Sequence, residues 1–490
     1  MSGEVVSGDV VSNAGEPKVA IIGGGLAGLA AAAALADHGV RAEVYEARRK
    51  LGGRATSWRD PESGRDVDFC QHVGMACCTN LVDFCRRLDL DRYFRRDGRL
   101  HFFTAEGRRY DLAATPWLPA PLHLLPSLLQ SGYLSWRERF GVARAMVKLA
   151  RSAAADRPDS PTIGAWLAAQ KQSPRAIELF WTPVLVSALG ESLERASFQY
   201  ARKVFVDGLM TNRDGYRIDV PTIPLSVIYG EHAVAKLRER GVRVHAGLPV
   251  RAVRATSDGR FELTLDDDVR RTFEQVIAAV PWRKAAELLG DFGALGEEVA
   301  AWRTIAGAPI SGVHLWFDRP ITELPHAVLI GTLSQWLFAG ATPPEELGGD
   351  ESGAKKRGEC YCQVVVSASY DLERLGKHEA VERIVGELRQ AFPAAREAKL
   401  LRSKIVTERE AVFSARPGID AVRPKQTTAV PGLFVAGDWT DTGWPATMEG
   451  AVRSGRLAAE GVLARLGRPA KLLAADLPRS FGARVLIGDR

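Results

Sequence analysis

Gly23, Gly25 and Gly28 stand in the spacing G-x-G-x-x-G directly after the apolar run 18–22, and Glu46 follows Gly28 by 18 residues. That combination suits a dinucleotide. The first glycine permits a tight turn, the second lets the backbone approach a pyrophosphate, and the third lets a helix pack close to a strand. The start of that helix, at Leu26 and Ala27, offers unpaired N–H groups to phosphate charge. Glu46 is placed to accept hydrogen bonds from ribose hydroxyls. An acid there, rather than an arginine, argues against a 2′-phosphate. These residues do not separate NAD from FAD.

The elements that hold these groups are legible around them. Residues 18–22 form a strand, alanines and leucines continue as a helix to Ala36, and His38-Gly39 ends it. A second strand over 41–45 ends in Glu46. At the far end of the chain, residues 433–436 read as a buried strand closed by Gly437-Asp438, with a helix starting near Ala446 or Thr447. The two ends are expected to form one nucleotide site, with the chain between them inserted. Within that chain, 231–240 predicts a helix, and 242–245, 250–253, 261–265 and 275–280 predict strands, with Asp258-Gly259 as a hairpin turn.

The chain has 490 residues, 46% hydrophobic and 25% charged, which is ordinary globular composition with room for two domains. A net charge of +6 is moderate, and its arginines suit a solvated surface or attraction to anionic lipid or an anionic substrate. No long basic tract or known module points to nucleic acid. Residues 1–16 read as a flexible leader and lack the basic start and apolar core of a signal peptide. No run reaches the ~18 apolar residues of a membrane span. The default location is therefore the cytoplasm, with peripheral contact on the inner face of the membrane left open. The six cysteines show no paired C-x2-C spacing, so no metal site is expected and small buried hydrophobes are the favoured reading.

The stretch Arg48-x3-Gly52-Gly53-Arg54-Ala55 resembles the second glycine motif of the flavin-containing amine oxidase and phytoene desaturase superfamily. The resemblance implies FAD and an α/β architecture. That is a discontinuous Rossmann-like FAD-binding domain of the glutathione-reductase type, with an inserted α+β substrate domain. It assigns 17–85, 231–281 and 406–467 to the FAD domain and 86–230 and 282–405 to the substrate domain, leaving 468–490 as a separate tail. Gly52, Gly53 and Arg54 would lie along the FAD pyrophosphate, with Ala47 and Arg48 adjoining Glu46. Val250 would lie near adenine. Asp438, after Gly437, would bond the ribityl chain. The helix at Thr447 and Met448 would aim its positive end at the flavin N1–C2=O edge.

Five longer phrases narrow the likeness: 69–88, 180–197, 224–231, 313–321 and 437–460. Together they resemble the hydroxysqualene dehydroxylases of bacterial hopanoid pathways. That family implies reductive removal of an allylic hydroxyl from a C30 isoprenoid, giving squalene, with reduced FAD as hydride source and an unidentified electron donor. Such chemistry calls for an acid, an apolar tunnel and aromatic faces for a cation. His72, Asp68 and Asp441 are the candidate acids, and Trp181 and Trp444 the candidate aromatics; fold or packing roles are open for each. Cys70 departs from the glycine usual in the family. A carotenoid or squalene desaturase is the main alternative. A flavin amine oxidase is disfavoured by Thr447, where those enzymes place a tyrosine, and by the absence of lysine between Lys284 and Lys355. Intact glycines disfavour a non-catalytic prenyl-lipid-binding protein.

The substrate region is less explicit. Residues 86–112 read as strands joined at Asp97-Gly98 and Glu106-Gly107, and 137–152 as a helix. Ser160 and Thr162 are candidate helix caps, and 340–358 reads as a surface loop. The proline-broken apolar stretch 115–136 suits core, or a lip dipping into a membrane. The tail 468–490 could dock on the body or touch lipid.

Overall fold

A parallel sheet gathers strands from distant parts of the chain. These are β1 (Lys18–Ile22), β2 (Arg41–Glu46), β3 (Arg243–Ala246), β4 (Gln275–Ala278) and β5 (Leu433–Val435). Their order is β3-β2-β1-β4-β5, with Val19 opposite both Ala42 and Gln275. The computed structural model describes residues 18–152, 160–266, 268–340 and 359–488. The leader 1–16 and nearly all of the 340–358 stretch lie outside the described residues.

α1 (Leu26–Asp37) follows β1, and α3 (Met448–Arg465) follows β5; between them in the chain lies α2 (Trp136–Arg151). Residues 26–35 of α1 are buried on every face, as its run of alanines and leucines requires. Small side chains let α1 and α3 cross nearly in contact: a Cβ on Gly455 would sit 2.1 Å from the Ala27 carbonyl oxygen. This crossing ties the two ends of the chain together.

A second, seven-stranded sheet carries the inserted region. Gly307–Phe317 lies between Leu400–Phe413 and Cys360–Ser367, and the sheet continues through Trp336–Ala339, His326–Ile330, Arg99–Thr104 and Arg109–Ala113. The Leu400–Phe413 strand runs unbroken across the residue 405/406 boundary between the two expected domains. The Glu106-Gly107 turn does join two strands, with Gly107 at φ +79°. Asp97-Gly98 does not form a hairpin: Phe94–Asp97 pairs instead with Ile218–Pro221, where Asp219 accepts a bidentate ion pair from Arg96. The helix expected at 231–240 starts earlier as a π-helical turn, Ser226–His232, before Ala233–Glu239 continues as α-helix. Thr162 caps the Ile163–Ala169 helix through the Ala165 N–H; Ser160 lies outside that cap. The 115–136 stretch divides, with Leu128, Tyr133 and Leu134 buried and Trp117 exposed. The tail does dock, ending in a short helix, α4 (Phe481–Ile487).

All six cysteines are free thiols; Cys77, Cys78, Cys85 and Cys362 are buried. Among the described residues no acid, histidine and cysteine cluster is arranged to hold a metal. Among the same residues no helix is long and apolar enough to cross a membrane.

Candidate FAD and substrate site

The glycine turn is built by exclusion. Gly23 has φ +111°, and a Cβ there would meet the Ala279 carbonyl oxygen at 2.3 Å. A Cβ on Gly28 would meet the Gly23 carbonyl oxygen at 1.9 Å. Gly25 differs: its Cβ would find only the Gly53 Cα, at 3.7 Å. The constraint at Gly25 is thus the open space it faces, which suits a ligand. No side chain caps α1 and no acid lies in its first turn, so the helix end at Leu26 and Ala27 keeps its positive character for a phosphate.

The second glycine pair closes on the first. The Gly52 N–H donates to the Gly24 carbonyl at 2.8 Å, and Gly25 and Gly52 form a parallel bridge. Glu46, at the end of β2, accepts from the Gly24 N–H at 2.7 Å and the Arg48 N–H at 2.8 Å. Its carboxylate is thereby fixed beside the glycine turn with lone pairs left for hydroxyls. Ala47 lies between these anchors, and Val250 is buried at the start of the Val250–Ala255 strand.

Arg54 joins the halves. It donates to the Asp438 carboxylate at 2.5 Å and to the Ala411 carbonyl at 2.5 Å. Gly437, with φ +146°, donates its N–H to Ser454 Oγ on α3 at 2.8 Å. Thr447 caps α3 by accepting from the Gly450 N–H at 3.1 Å. That cap reaches the Gly450 N–H alone, and the N–H groups of Met448 and Glu449 have no side-chain cap among the described residues. Met448 Sδ lies 3.9 Å from the Tyr229 hydroxyl. An open glycine cradle, a fixed acid, an arginine–aspartate clamp and two helix N-termini fit FAD.

Three residues that sequence reasoning missed hold this frame. Arg423 is buried and donates to the carbonyls of Asp438, Trp439, Thr440 and Trp444, pinning the whole turn before α3. Glu449 accepts from the N–H groups of Asn80 and Leu81 and from Arg453, so α3 caps the Thr79–Arg87 helix. Gln363, in the seven-stranded sheet, donates to the Asp68 carbonyl at 3.0 Å and accepts from the Gln71 N–H at 2.6 Å. Arg423 and Gln363 carry no local sequence signal for this role, because the backbone atoms they hold lie 15 or more residues away in the chain. Glu449 lies in the phrase that pointed to the flavin, where a buried acid beside a glycine was the available clue.

The 68–72 segment held by Gln363 carries two of the candidate acids. Asp68 and His72 retain accessible surface yet behave as deeply buried groups. Burial pushes the Asp68 carboxyl up to about 6, against hydrogen bonds from Ser57 Oγ at 2.6 Å and the Leu225 N–H at 2.9 Å. Burial lowers His72, the Cys70 carbonyl raises it, and the Arg54 charge lowers it further. His72 Nδ1 lies 2.7 Å from the Cys70 carbonyl, which sets the Nδ1–H tautomer and leaves Nε2 as an acceptor. Burial also pushes the Cys70 thiol up to about 12, so it is an unreactive thiol. Asp441 lies in the turn before α3, its carboxylate accepting from the Gly443 N–H at 3.3 Å. Trp444 faces two protein cations, with Lys203 Nζ 4.5 Å and the Arg453 guanidinium 5.1 Å from its ring. Trp181 is a core residue, its Nε1 donating to Gln172 at 3.0 Å.

A chamber of about 260 Å³ lies in the inserted region, bounded on one side by Phe102 of the seven-stranded sheet. Leu128, Met146, Phe180 and Val184 line it, with Tyr110 and Tyr133 in edge contact at 5.3 Å between ring centres. Its one acid, Asp111, is engaged by Arg99, Arg109 and His101.

Similarity to known proteins agrees with this geometry. Hydroxysqualene dehydroxylase of Rhodopseudomonas palustris is 29% identical, over 91% of this chain and 98% of that protein. The 15-cis-phytoene desaturase of Synechococcus elongatus is 25% identical, over 91% of this chain and 96% of its own. The solved cyclohexylamine oxidase from Brevibacterium oxydans shares the fold with a TM-score of 0.65 at 18% identity, covering 93% of this chain and 100% of that one. The family model for flavin-containing amine oxidoreductases matches residues 26–463. On that match and the FAD cradle built by its two ends, the chain belongs to the flavin-containing amine oxidoreductases and is an FAD-dependent oxidoreductase.

Proposed function

We propose that this chain reductively removes the hydroxyl of hydroxysqualene to give squalene. The observation that carries the substrate class is the apolar chamber, whose single acid is already engaged by two arginines and a histidine. An ammonium substrate would find no free carboxylate there, whereas an isoprenoid chain finds matching apolar walls. Thr447 at the start of α3, in place of a tyrosine, weighs in the same direction.

Reduced FAD, when bound, supplies the hydride. The protein's part is to protonate the departing hydroxyl, to exclude water and to shelter positive charge on the allylic carbons. The balanced change is alcohol plus hydride plus proton to alkene chain plus water. Asp68, in the 68–72 segment and not in the chamber wall, is the proton-holding group we assign for an alcohol end that extends out of the chamber, since its carboxyl is raised to about 6 and so keeps part of its protons near neutral pH. His72 is held neutral by burial, with its Nδ1 proton committed to the Cys70 carbonyl, and serves as an acceptor through Nε2. Tyr110 and Tyr133 offer aromatic faces to a cationic carbon.

Desaturation of a carotenoid or of squalene is the second reading, favoured by the comparable likeness to 15-cis-phytoene desaturase. The two differ in the direction of hydride transfer. Anaerobic, photoreduced protein mixed with hydroxysqualene separates them. Squalene in the extract supports dehydroxylation; unchanged alcohol, with new double bonds formed from squalene or phytoene under air, supports desaturation.

A further inference from the structure

We propose that the face formed by the Trp117 loop, α2 and α4 docks on a bilayer containing anionic lipid. Soluble surfaces rarely expose large apolar side chains in one contiguous patch. Here Trp117 is 78% exposed, Phe481 82%, Phe140 65% and Trp136 61%.

The pieces are held together by specific contacts. Ser480 Oγ donates to the Ala120 carbonyl at 2.6 Å, fixing the start of α4 to the Trp117 loop. A Cβ on Gly482 would stand 2.7 Å from that same carbonyl, so helix and loop touch. Arg151 Nε, at the end of α2, donates to the Leu486 carbonyl at 2.8 Å. The apolar side chains therefore share one face.

Charge identifies the occupant. On α2 the exposed residues Trp136, Phe140, Arg144, Val147 and Arg151 recur at helical spacing, flanked by Arg137 and Lys148. The one acid of α2, Glu138, is committed to the cap at Ser135 and to Ser173. Neither α4 nor the stretch 115–131 contains an acid. Aromatic side chains interleaved with arginine and lysine suit an anionic headgroup region, where the rings enter the acyl boundary and the basic ends stay at the phosphates. A second copy of the same face would set these cations against each other.

Leu122, Val147 and Leu486 are exposed and also line the chamber, so its mouth opens within the patch. An apolar substrate dissolved in the bilayer would enter without crossing water. That delivery role rests on the isoprenoid reading; the docking itself does not.

The test uses the full chain with FAD bound, sedimented with vesicles of phosphatidylcholine alone or mixed with phosphatidylglycerol, in the absence of any isoprenoid. Binding to the mixed vesicles is expected, weakening as salt rises. The triple variant Trp117→Ser, Phe140→Ser, Phe481→Ser should lose at least about tenfold in affinity for them. The variant Arg137→Gln, Arg144→Gln, Lys148→Gln should lose roughly fivefold per neutralised group on mixed vesicles only. Flavin absorbance and the melting temperature report that both variants are folded. Absence of wild-type protein from the vesicle pellet, or equal pelleting of the apolar variant, would overturn the proposal. A vesicle-free dimer abolished by the same substitutions would also overturn it, in favour of a second copy. Failure of docking leaves the hydroxysqualene reaction standing, because that is read from extracted products and not from the vesicle pellet.

Discussion

The nucleotide cradle and the apolar chamber are specified by opposite means. In the cradle, Gly23 and Gly28 are forced by a carbonyl oxygen that would overlap any Cβ, Gly25 faces open space, and Glu46, Arg54 and Asp438 have named partners. In the chamber, many apolar side chains share the wall and no single hydrogen bond fixes its shape. A cradle of this kind is intolerant of substitution and general to the cofactor. A chamber of that kind can be re-cut by a few side chains, which is how one FAD frame comes to serve amines, carotenoids or alcohols.

The comparison predicts a gradient of effects. The largest is expected at Gly28→Ala, where the added methyl would overlap a carbonyl. The purified protein should carry no flavin absorbance, and a yellow, stoichiometric flavoprotein would break the account of the cradle. Next is Arg423→Met, which orphans four buried carbonyls before α3. We expect about 3 kcal/mol of lost stability and weakened FAD retention, read by denaturant melts and by flavin release.

Asp68→Asn should keep FAD while single-turnover reduction falls about 100-fold. The wild-type rate should decline as pH rises through about 6, because the proton that Asp68 must give is then lost. The same sign applies to stability. The folded carboxyl binds its proton more tightly than the unfolded chain does, so stability decreases as pH rises from the unfolded value to about 6. Asparagine should flatten both profiles. Met146→Trp, which fills the chamber, should leave FAD binding unchanged and lower kcat/KM about tenfold. Thr447→Ala should cost only about 1 kcal/mol, as the loss of one helix cap, with melting as the readout.

Legibility in the sequence follows the same division. Gly23, Gly25, Gly28 and Glu46 could be read because strand, turn and helix sit within one short stretch whose spacing carries the physics. The start of α3 at Thr447 could be read for the same reason. Arg423 could not, since the four carbonyls it holds lie beyond β5 and come within reach only once the chain folds back. Asp97-Gly98 has the composition of a hairpin turn, but a strand from over a hundred residues later took the pairing. The proline-broken 115–136 stretch was ambiguous because burial of Leu128 and exposure of Trp117 are decided by what packs on them, including α4 from the far end of the chain.

We propose a single FAD site, built from both ends of the chain, that acts on an isoprenoid alcohol whose chain lies in the apolar chamber. Its most direct test is a single anaerobic turnover. Stoichiometrically photoreduced protein is mixed with hydroxysqualene, flavin reoxidation is followed by absorbance, and the extract is analysed. Reoxidation matched by an equal amount of squalene is expected, both slowed by Met146→Trp. Reduced flavin that persists beside unchanged hydroxysqualene would contradict it.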